Sequence, residues 1–339
     1  MRKRFGVWAA GLLVAGSVLA PSSVWAQDVQ SRQLKLAFLP TADHPIGLGA
    51  KRFAELVAEK SGGKMKIKPF PGGTLGGDLQ VVSALQGGTV EMTILVTSLL
   101  AGNVKDFTLL DSPFLFDNEQ EADAVLDGPV GEALLAKLPE KGLVGLGYFE
   151  YGFRDFTNNR RPVEKVEDLQ GLKIRVSQTP LLIDFVNALG ANATPMPIPE
   201  VYTALETGAV DGMDAPLSFI RLQKYDEVQK HLAVTKHLYN AQVVLVSKQY
   251  WDGLSVAERK VLQDAMREAQ EYQRQVSREQ DAADLVELKE TMQVTELPPE
   301  EIAKMRELAK PLVDKYSKEI DPTLVESLTA QLSKIRGQN

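Results

Sequence analysis

The chain has 339 residues, of which 44% are hydrophobic and 24% are charged. This composition is ordinary for a soluble globular protein with a buried core, and the length predicts about two domains. The absence of cysteine excludes disulfides, thiolate metal sites, a thiol nucleophile and a lipid-modified N-terminal cysteine. The formal charge of −7 argues against nucleic acid as a partner, because an acidic surface repels phosphates.

The first residues have the pattern of a secretory signal. Arg2, Lys3 and Arg4 precede an apolar run over residues 7–20, and Val24-Trp25-Ala26 supplies a small-residue cleavage site. A membrane anchor is the alternative, but the run is shorter than the ~20 apolar residues that a spanning helix needs. We therefore expect residues 1–26 to be removed and the mature protein to be soluble.

Alternating strands and helices follow. The first unit is predicted as a strand over 34–39, a helix over 47–60, a strand over 65–69, a glycine-rich turn over 72–77, and a helix carrying Val81, Val82 and Leu85. The second is predicted as a strand over 172–176, a helix over 180–189 and a helix that opens at Pro199.

Both units end in similar sequences. Residues 84–91 read Ala-Leu-Gln-Gly-Gly-Thr-Val-Glu, and residues 204–211 read Ala-Leu-Glu-Thr-Gly-Ala-Val-Asp. Each is a helix end, a glycine stop and the start of a strand. So short a match can arise by chance, but the matching order of elements favours two related α/β lobes with parallel or mixed sheets.

The last part of the chain is helical. Ser255 and Glu258 form a capping box, and no Gly or Pro follows until Pro298. An unbroken helix over this stretch would be about 60 Å long and would outrun one lobe, so we expect it to bridge both. The tail over 299–335 is also predicted to be helical, with breaks at Pro311 and Pro322.

Motifs of catalysis are absent from the sequence. The three histidines fit no metal-binding pattern, and only His44 lies in a predicted pocket loop, where an ordinary turn residue is the simpler interpretation. No Gly-x-Ser-x-Gly elbow occurs, and the glycines over 72–77 lack the Lys and Ser/Thr of a phosphate loop. We therefore predict no catalytic residue, no metal and no cofactor.

Two arginines are the best candidates for binding. Arg154 lies among aromatic residues, and Arg175 ends a predicted strand, where open α/β sheets bind ligands. A guanidinium group binds a carboxylate through two parallel hydrogen bonds, which lysine cannot reproduce. The alternative, left open by spacing alone, is that each arginine pairs with a neighbouring Asp or Glu.

At these residues the chain resembles the TRAP-transporter solute receptors of the dicarboxylate-receptor (DctP) family, over nearly all of the mature sequence. The matching blocks are Asp43-His44-Pro45, the Lys-Ser-Gly-Gly-Lys turn from Lys60, the Pro-Gly-Gly-Thr-Leu-Gly-Gly turn, Pro113-Phe114-Leu115-Phe116, Phe153 to Pro162, the Gly-Leu-Lys-Ile-Arg-Val block over 171–176, and Pro199 to Pro216.

The resemblance implies an α/β, two-lobed periplasmic-binding-protein fold with strands crossing between lobes and a long helix spanning both. We expect residues 33–152 and 240–280 in lobe I, and 153–239 and 281–335 in lobe II. It also implies a periplasmic protein that closes around a small carboxylate by a hinge motion and delivers it to the ion-driven TRAP membrane permease subunits. We expect a monomer.

The family's carboxylate contact is carried over to Arg175, a second contact to Arg154, and a polar pocket position to Asp78. The remaining predicted contacts, of which Tyr239 and Asn240 rest on a looser match, are Thr97, Gln178, Ile198, Ala215, Tyr239 and Asn240. Relatives that bind hydroxylated sugar acids have Asn or Glu where this chain has Leu39, Val96 and Ala215.

Apolar side chains would leave sugar hydroxyls without hydrogen bonds. We therefore expect a less polar acid, aromatic or branched, bound by Arg175 and packed on Ile198, Phe153 and Tyr239. Two other functions stay open: a receptor that reports its ligand to a sensor kinase, and a periplasmic hydrolase or lyase.

Overall fold

The computed structural model describes Met1 and residues 29–337, so the predicted cleavage site after Ala26 lies outside the described residues. Within residues 29–337 the strands are β1 (Arg32–Ala37), β2 (Met65–Phe70), β3 (Met92–Val96), β4 (Leu143–Asn158), β5 (Lys173–Val176), β6 (Asn192–Pro195), β7 (Gly212–Pro216), β8 (His231–Ser247) and β9 (Gln293–Glu296). The α-helices of this part are α1 (Pro45–Lys60), α2 (Asp78–Gln86), α3 (Glu119–Leu126), α4 (Pro129–Ala136), α5 (Pro180–Ala188), α6 (Ile198–Glu206), α7 (Leu217–Leu222), α8 (Lys248–Asp252), α9 (Val256–Thr291), α10 (Pro299–Ser317) and α11 (Pro322–Ile335). Among residues 29–337, five 3-10 helices lie over Thr97–Gly102, Lys105–Asp111, Pro139–Lys141, Val166–Leu169 and Tyr225–Glu227.

The described strands form one mixed sheet in the order β2-β1-β3-β8-β4-β7-β5-β6, with β9 paired to β8. The first half-sheet, β1 to β3, and the second half-sheet, β5 to β7, are each parallel. The elements predicted for the two units are present, with ends within two residues of those expected. The fold class predicted from the sequence is therefore confirmed.

The two units have the same topology. In each, a central strand pairs with the strand that follows it on one side and with the third strand on the other. The similar sequences occupy equivalent places, since Gly88 precedes β3 and Gly208 precedes β7, both with φ of 72°. This left-handed conformation favours glycine, which explains why both helix ends share it.

Two long antiparallel strands, β4 and β8, lie side by side in the middle of the sheet. One end of β8 pairs with β3, and the opposite end of β4 pairs with β7, so the pair joins the two half-sheets. Their register shifts between Gly145 and Gly147, between Glu150 and Gly152, and between Arg154 and Phe156. Such irregularities bend a strand and change which face a side chain takes.

The long helix α9 begins where the capping box predicts. Ser255 Oγ accepts a hydrogen bond from the Glu258 N–H at 3.2 Å, and Glu258 Oε2 accepts one from the Ser255 N–H at 2.8 Å. Its 36 residues make a helix of about 54 Å. It packs against α1 of the first unit and α7 beyond the second, so the predicted bridging is confirmed.

The expectations for the segments after α9 need two corrections. Helix α9 ends at Thr291, and the next residues form β9, which pairs in parallel with β8 and so takes its backbone hydrogen bonds from a distant strand. The predicted break at Pro311 is wrong, because α10 continues through this residue, whose ring is exposed. The break at Pro322 is confirmed, since this proline is the first residue of α11.

Apolar clusters fix the terminal helices to different halves of the molecule. Met305 and Ala309 of α10 pack in a cluster with α5 and β5. Leu324, Leu328 and Leu332 of α11 pack instead in a cluster with α3, α4 and residues of the first unit. No helix among residues 29–337 has the length and apolar character to cross a bilayer.

Candidate functional site

A cavity of about 420 Å³ opens between the half-sheets. It lies at the carboxyl ends of parallel strands from both units, where open α/β sheets bind ligands. Its polar lining residues are Asp78, Gln80, Tyr151, Arg154, Arg175, Ser177, Gln178, Glu200, Asp214 and Gln242. Its apolar lining residues include Leu39, Leu79, Ile94, Val96, Leu99, Met196, Ile198, Ala215 and Phe219.

Arg175 lines this cavity from β5 and is only 3% exposed. Its Nε and Nη2 atoms donate hydrogen bonds to the carbonyl oxygen of Met196 at 3.0 and 2.6 Å. Among residues 29–337 no carboxylate forms an ion pair with it, and its Nη1 atom has no hydrogen-bond partner there. Burial, with the like charge of Arg154, lowers the pKa of Arg175 to about 10. The side chain is therefore a charged donor at neutral pH without a bound counter-charge.

Arg154 lines the same cavity from β4, but its donors are occupied. Its Nε donates to Asp214 Oδ2 at 2.5 Å, its Nη2 to the Asp214 carbonyl at 2.6 Å, and its Nη1 to Asn240 Oδ1 at 2.9 Å. Burial opposes the ionised form of Asp214, yet Arg154 and His237 hold the pKa of its carboxyl below the usual range. The alternative that an arginine pairs with a carboxylate of the protein is therefore correct for Arg154 and not for Arg175.

Asp78 is the first residue of α2 and faces the cavity after the glycine-rich turn. Gly72, Gly73 and Gly76 have positive φ, which shapes this turn as predicted. Burial raises the pKa of the Asp78 carboxyl to about 7, while the charge of Arg175 opposes that rise. The protonated form of this carboxyl is thus accessible near neutral pH.

The raised pKa of Asp78 predicts that the affinity for the organic acid depends on pH. An ionised Asp78 repels a bound carboxylate, so the affinity should fall as pH rises through about 7, where the free protein loses this proton. Asp78→Asn should bind with a flatter pH profile. Calorimetric titration of both proteins across this range is the measurement, and equal slopes would contradict the assignment to Asp78.

Three other predicted contacts, Gln178, Ile198 and Ala215, also line the cavity. Gln178 follows β5, Ile198 begins α6, and Ala215 lies in β7. The structure therefore brings six of the nine predicted residues together, when Arg154, Arg175 and Asp78 are included. Leu39 and Val96, noted for their apolar character, are also part of the wall.

The structure places Thr97 and Tyr239 outside this lining. Thr97 Oγ1 donates to the Ala241 carbonyl at 3.3 Å, and the Tyr239 hydroxyl donates to Glu150 Oε2 at 3.1 Å. Phe153 contacts the Tyr239 ring edge to face, with 5.2 Å between ring centroids. Asn240, next to Tyr239 in β8, points the other way and accepts from Arg154, because successive strand side chains face opposite sides.

Several lining residues were not predicted as contacts, above all Asp214, Tyr151 and Gln242. Tyr151 sits at the irregularity between Glu150 and Gly152, where β4 has one residue more than β8. A bulge re-aims such a residue, so Tyr151 joins Arg154 on the cavity face. One signal in the sequence could have indicated Asp214, namely its place in the Pro199 to Pro216 block.

Two of the three histidines, His44 and His237, have structural contacts. His44 is fully buried and caps α1, with Nδ1 accepting from the Ile46 N–H at 3.1 Å. Burial lowers its pKa to about 3, so the ring is neutral. His237 stacks on Phe156 with 4.2 Å between ring centroids. Within the described residues no group of three or more His, Cys, Asp or Glu could hold a metal ion.

Two parallel half-sheets joined by crossing strands, with a charged arginine in the cavity between them, define a binding protein that encloses a small anion. The chain matches the sequence profile of the bacterial extracellular solute-binding protein family 7 (DctP) over residues 37–319. It belongs to this family and is a solute-binding protein of the TRAP transporter type. Curated relatives in Escherichia coli and Rhodobacter capsulatus are named as periplasmic binding proteins.

Solved structures and curated relatives agree with this assignment. A TRAP periplasmic solute-binding protein from Ochrobactrum anthropi, with its C-terminus bound in the ligand-binding pocket, is 52% identical, with a TM-score of 0.83 over 92% of this chain and 98% of that one. The sugar-acid-binding protein DctPAm from Advenella mimigardefordensis, in complex with galactonate, is 42% identical, with a TM-score of 0.88 over 91% and 99%. The 2,3-diketo-L-gulonate-binding periplasmic protein YiaO of Escherichia coli is 38% identical over 78% of this chain and 80% of its own.

Proposed function

We propose that this protein captures a small organic acid by pairing its carboxylate with Arg175 and delivers it to the TRAP membrane permease. The observation that carries this proposal is the state of Arg175. Its guanidinium lines the cavity, is almost fully buried, and has no ion-pair partner among the described residues. A buried charge without a partner is costly, and a ligand carboxylate removes that cost.

We infer that binding closes two lobes about a hinge made by β4, β8 and α9. The lobe boundaries expected from the sequence stay a proposal, with one change. Helix α11 packs with α3 and α4, so we assign residues 322–335 to the first lobe rather than the second. Closure would expel water from around Arg175 and strengthen its pairing with the ligand.

Two kinds of ligand fit the cavity lining: a less polar organic acid and a sugar acid. Leu39, Val96 and Ala215 support a less polar acid, because apolar walls leave ligand hydroxyls without partners. Gln80, Glu200 and the galactonate-bound relative favour a sugar acid instead. We propose the less polar acid, since the family resemblance implies hydrogen-bonding side chains at these three positions in members that bind sugar acids, and this chain has apolar ones.

A thermal-shift screen tests this choice. A ligand that binds only the native state raises the unfolding temperature, so branched and aromatic acids should stabilise the mature protein more than galactonate at equal concentration. The largest shift with galactonate or another sugar acid would contradict the less polar candidate.

Position 215 offers a directed version of the same test. Ala215→Asn should raise the affinity for galactonate relative to 4-methylpentanoate by roughly tenfold, because the amide supplies hydrogen bonds to hydroxyls. Ala215→Leu, which adds similar volume without polar atoms, is the matched control. Calorimetry with both acids is the measurement, and the same change in both variants would contradict a polar effect.

We further propose that the protein is a monomer without catalytic activity, cofactor or nucleic-acid partner, exported by cleavage after Ala26. A role in reporting ligand to a sensor kinase stays an alternative. Incubation with the identified acid should return it unchanged, and turnover without another protein would favour a hydrolase or lyase.

A further inference from the structure

A second cavity, of about 290 Å³, adjoins the first. Leu79, Leu99 and Gln178 line both cavities, so these side chains form the boundary between them. The other walls come from the two 3-10 helices over Thr97–Gly102 and Lys105–Asp111, the start of α5, and the residues that end α10 and follow it. Cavity space therefore extends beyond the region around Arg175.

Asp111 is the unusual residue of this second cavity. It is only 3% exposed, and its carboxyl has no hydrogen-bond or ion-pair partner among residues 29–337. Burial raises the pKa of this carboxyl to about 8, against the opposing charge of Arg154. Buried polar groups almost always have partners, so an unpartnered carboxyl facing a cavity indicates that a donor belongs there.

A second unpartnered group lies beside it. Thr179 is 4% exposed, and its hydroxyl has no hydrogen-bond partner in the described part of the chain. Asp111 and Thr179 also line a narrow space that reaches Arg154 and Asn240. Thr179 therefore shares two adjoining spaces with Asp111.

Three other polar residues of the cavity, Lys105, Tyr316 and Glu319, already have partners. Lys105 pairs with Glu319 at 3.3 Å, and both side chains are well exposed. The Tyr316 hydroxyl donates to Asp184 Oδ2 at 2.9 Å. The interior consequently combines apolar walls, such as Leu99 and Leu181, with the unpartnered carboxyl of Asp111.

We propose that the second cavity is a subsite for the far end of the bound acid, where a hydroxyl or ammonium group donates a hydrogen bond to Asp111. This inference rests on the proposed function, because the carboxylate end of the same ligand lies at Arg175. The ligand is then an acid with an apolar middle and a hydrogen-bond donor at its far end.

The test uses straight-chain acids from butanoate to octanoate, each compared with its ω-hydroxy and ω-amino derivatives by calorimetry. Beyond the length that reaches Asp111, one donor-bearing series should bind about tenfold more tightly than the unsubstituted acids, and the short acids should gain nothing. Preference for the ω-amino series identifies an ammonium group, and preference for the ω-hydroxy series identifies a hydroxyl.

Two variants assign the effect to this subsite. Asp111→Leu removes the acceptor and should abolish the donor preference. It should also fold, since the substitution removes no hydrogen bond or ion pair of the carboxyl. Ala101→Phe, which fills the second cavity without touching the first, should weaken binding of the long acids only. Propanoate binding and the unfolding temperature check the integrity of both variants.

A donor preference that survives in both variants, or no preference at any length, would overturn the subsite. Its failure is distinguishable from failure of the proposed function. If short acids bind in an Arg175-dependent manner without a donor preference, only the subsite is rejected. Binding of short acids that ignores Arg175 rejects the proposed function.

Discussion

Replacing Arg175 with alanine is expected to weaken binding of the organic acid by well over tenfold. The variant would leave the ligand carboxylate buried without its positive partner, and truncating one member of a buried charge pair costs about 2 to 5 kcal/mol. Arg154 cannot take over this task, since its donors already bind Asp214 and Asn240. Calorimetric titration of the mature protein measures the loss.

Two further variants show whether geometry or charge is responsible. Arg175→Lys keeps the charge but loses the planar pair of donors, so it should recover only part of the affinity. Arg160→Ala is the control, because this arginine is well exposed, lies outside the cavity and pairs with Asp211 at 3.4 Å. Near-normal binding by Arg175→Ala would remove Arg175 from its proposed role.

Replacing Asp214 with leucine is expected to lower the free energy of unfolding by about 3 to 5 kcal/mol, because it leaves Arg154 buried without a counter-charge. Both side chains of this pair are at most 5% exposed. Urea denaturation of the ligand-free protein measures the change. An unchanged unfolding midpoint would show that the pair contributes nothing to stability.

A double variant separates the pair from the loss of either residue. Arg154→Met with Asp214→Leu removes both charges, so it should be more stable than Asp214→Leu alone.

The ion pair of Arg154 with Asp214 also predicts that stability depends on pH. The Asp214 carboxyl has a folded-state pKa below its usual range, so its stabilising contribution is present at neutral pH and is lost in acid. Both variants should lack this part of the acid sensitivity.

The sequence predicted the regular parts of the fold because their signals are local. The capping box of Ser255 and Glu258 marks the start of α9, and the glycine stops mark the ends of α2 and α6. By contrast, β9 exists through pairing with β8, about 60 residues away in the chain, which no local pattern indicates. Pro311 likewise interrupts no helix, although its residue type predicts a break.

The binding site was predictable where a residue type and a strand end coincide, as at Arg175. The pairing of Arg154 with Asp214 was not, because it joins β4 to β7 across 60 positions. Thr97 and Tyr239 each lie beside a residue that does face the binding region, Val96 and Asn240 respectively. Tyr239 and Asn240 are adjacent in β8 and so face opposite sides, whereas Thr97 begins the 3-10 helix that follows β3. The bulge at Tyr151 changes the alternation of β4, which no local pattern indicates.

The most direct test of carboxylate capture is a crystal structure of the mature protein with the acid that gives the largest thermal shift. We expect a ligand carboxylate oxygen within hydrogen-bond distance of the Arg175 guanidinium, inside the cavity between the half-sheets. A ligand whose carboxylate lies elsewhere, with Arg175 still bonded only to the Met196 carbonyl, would contradict the central claim.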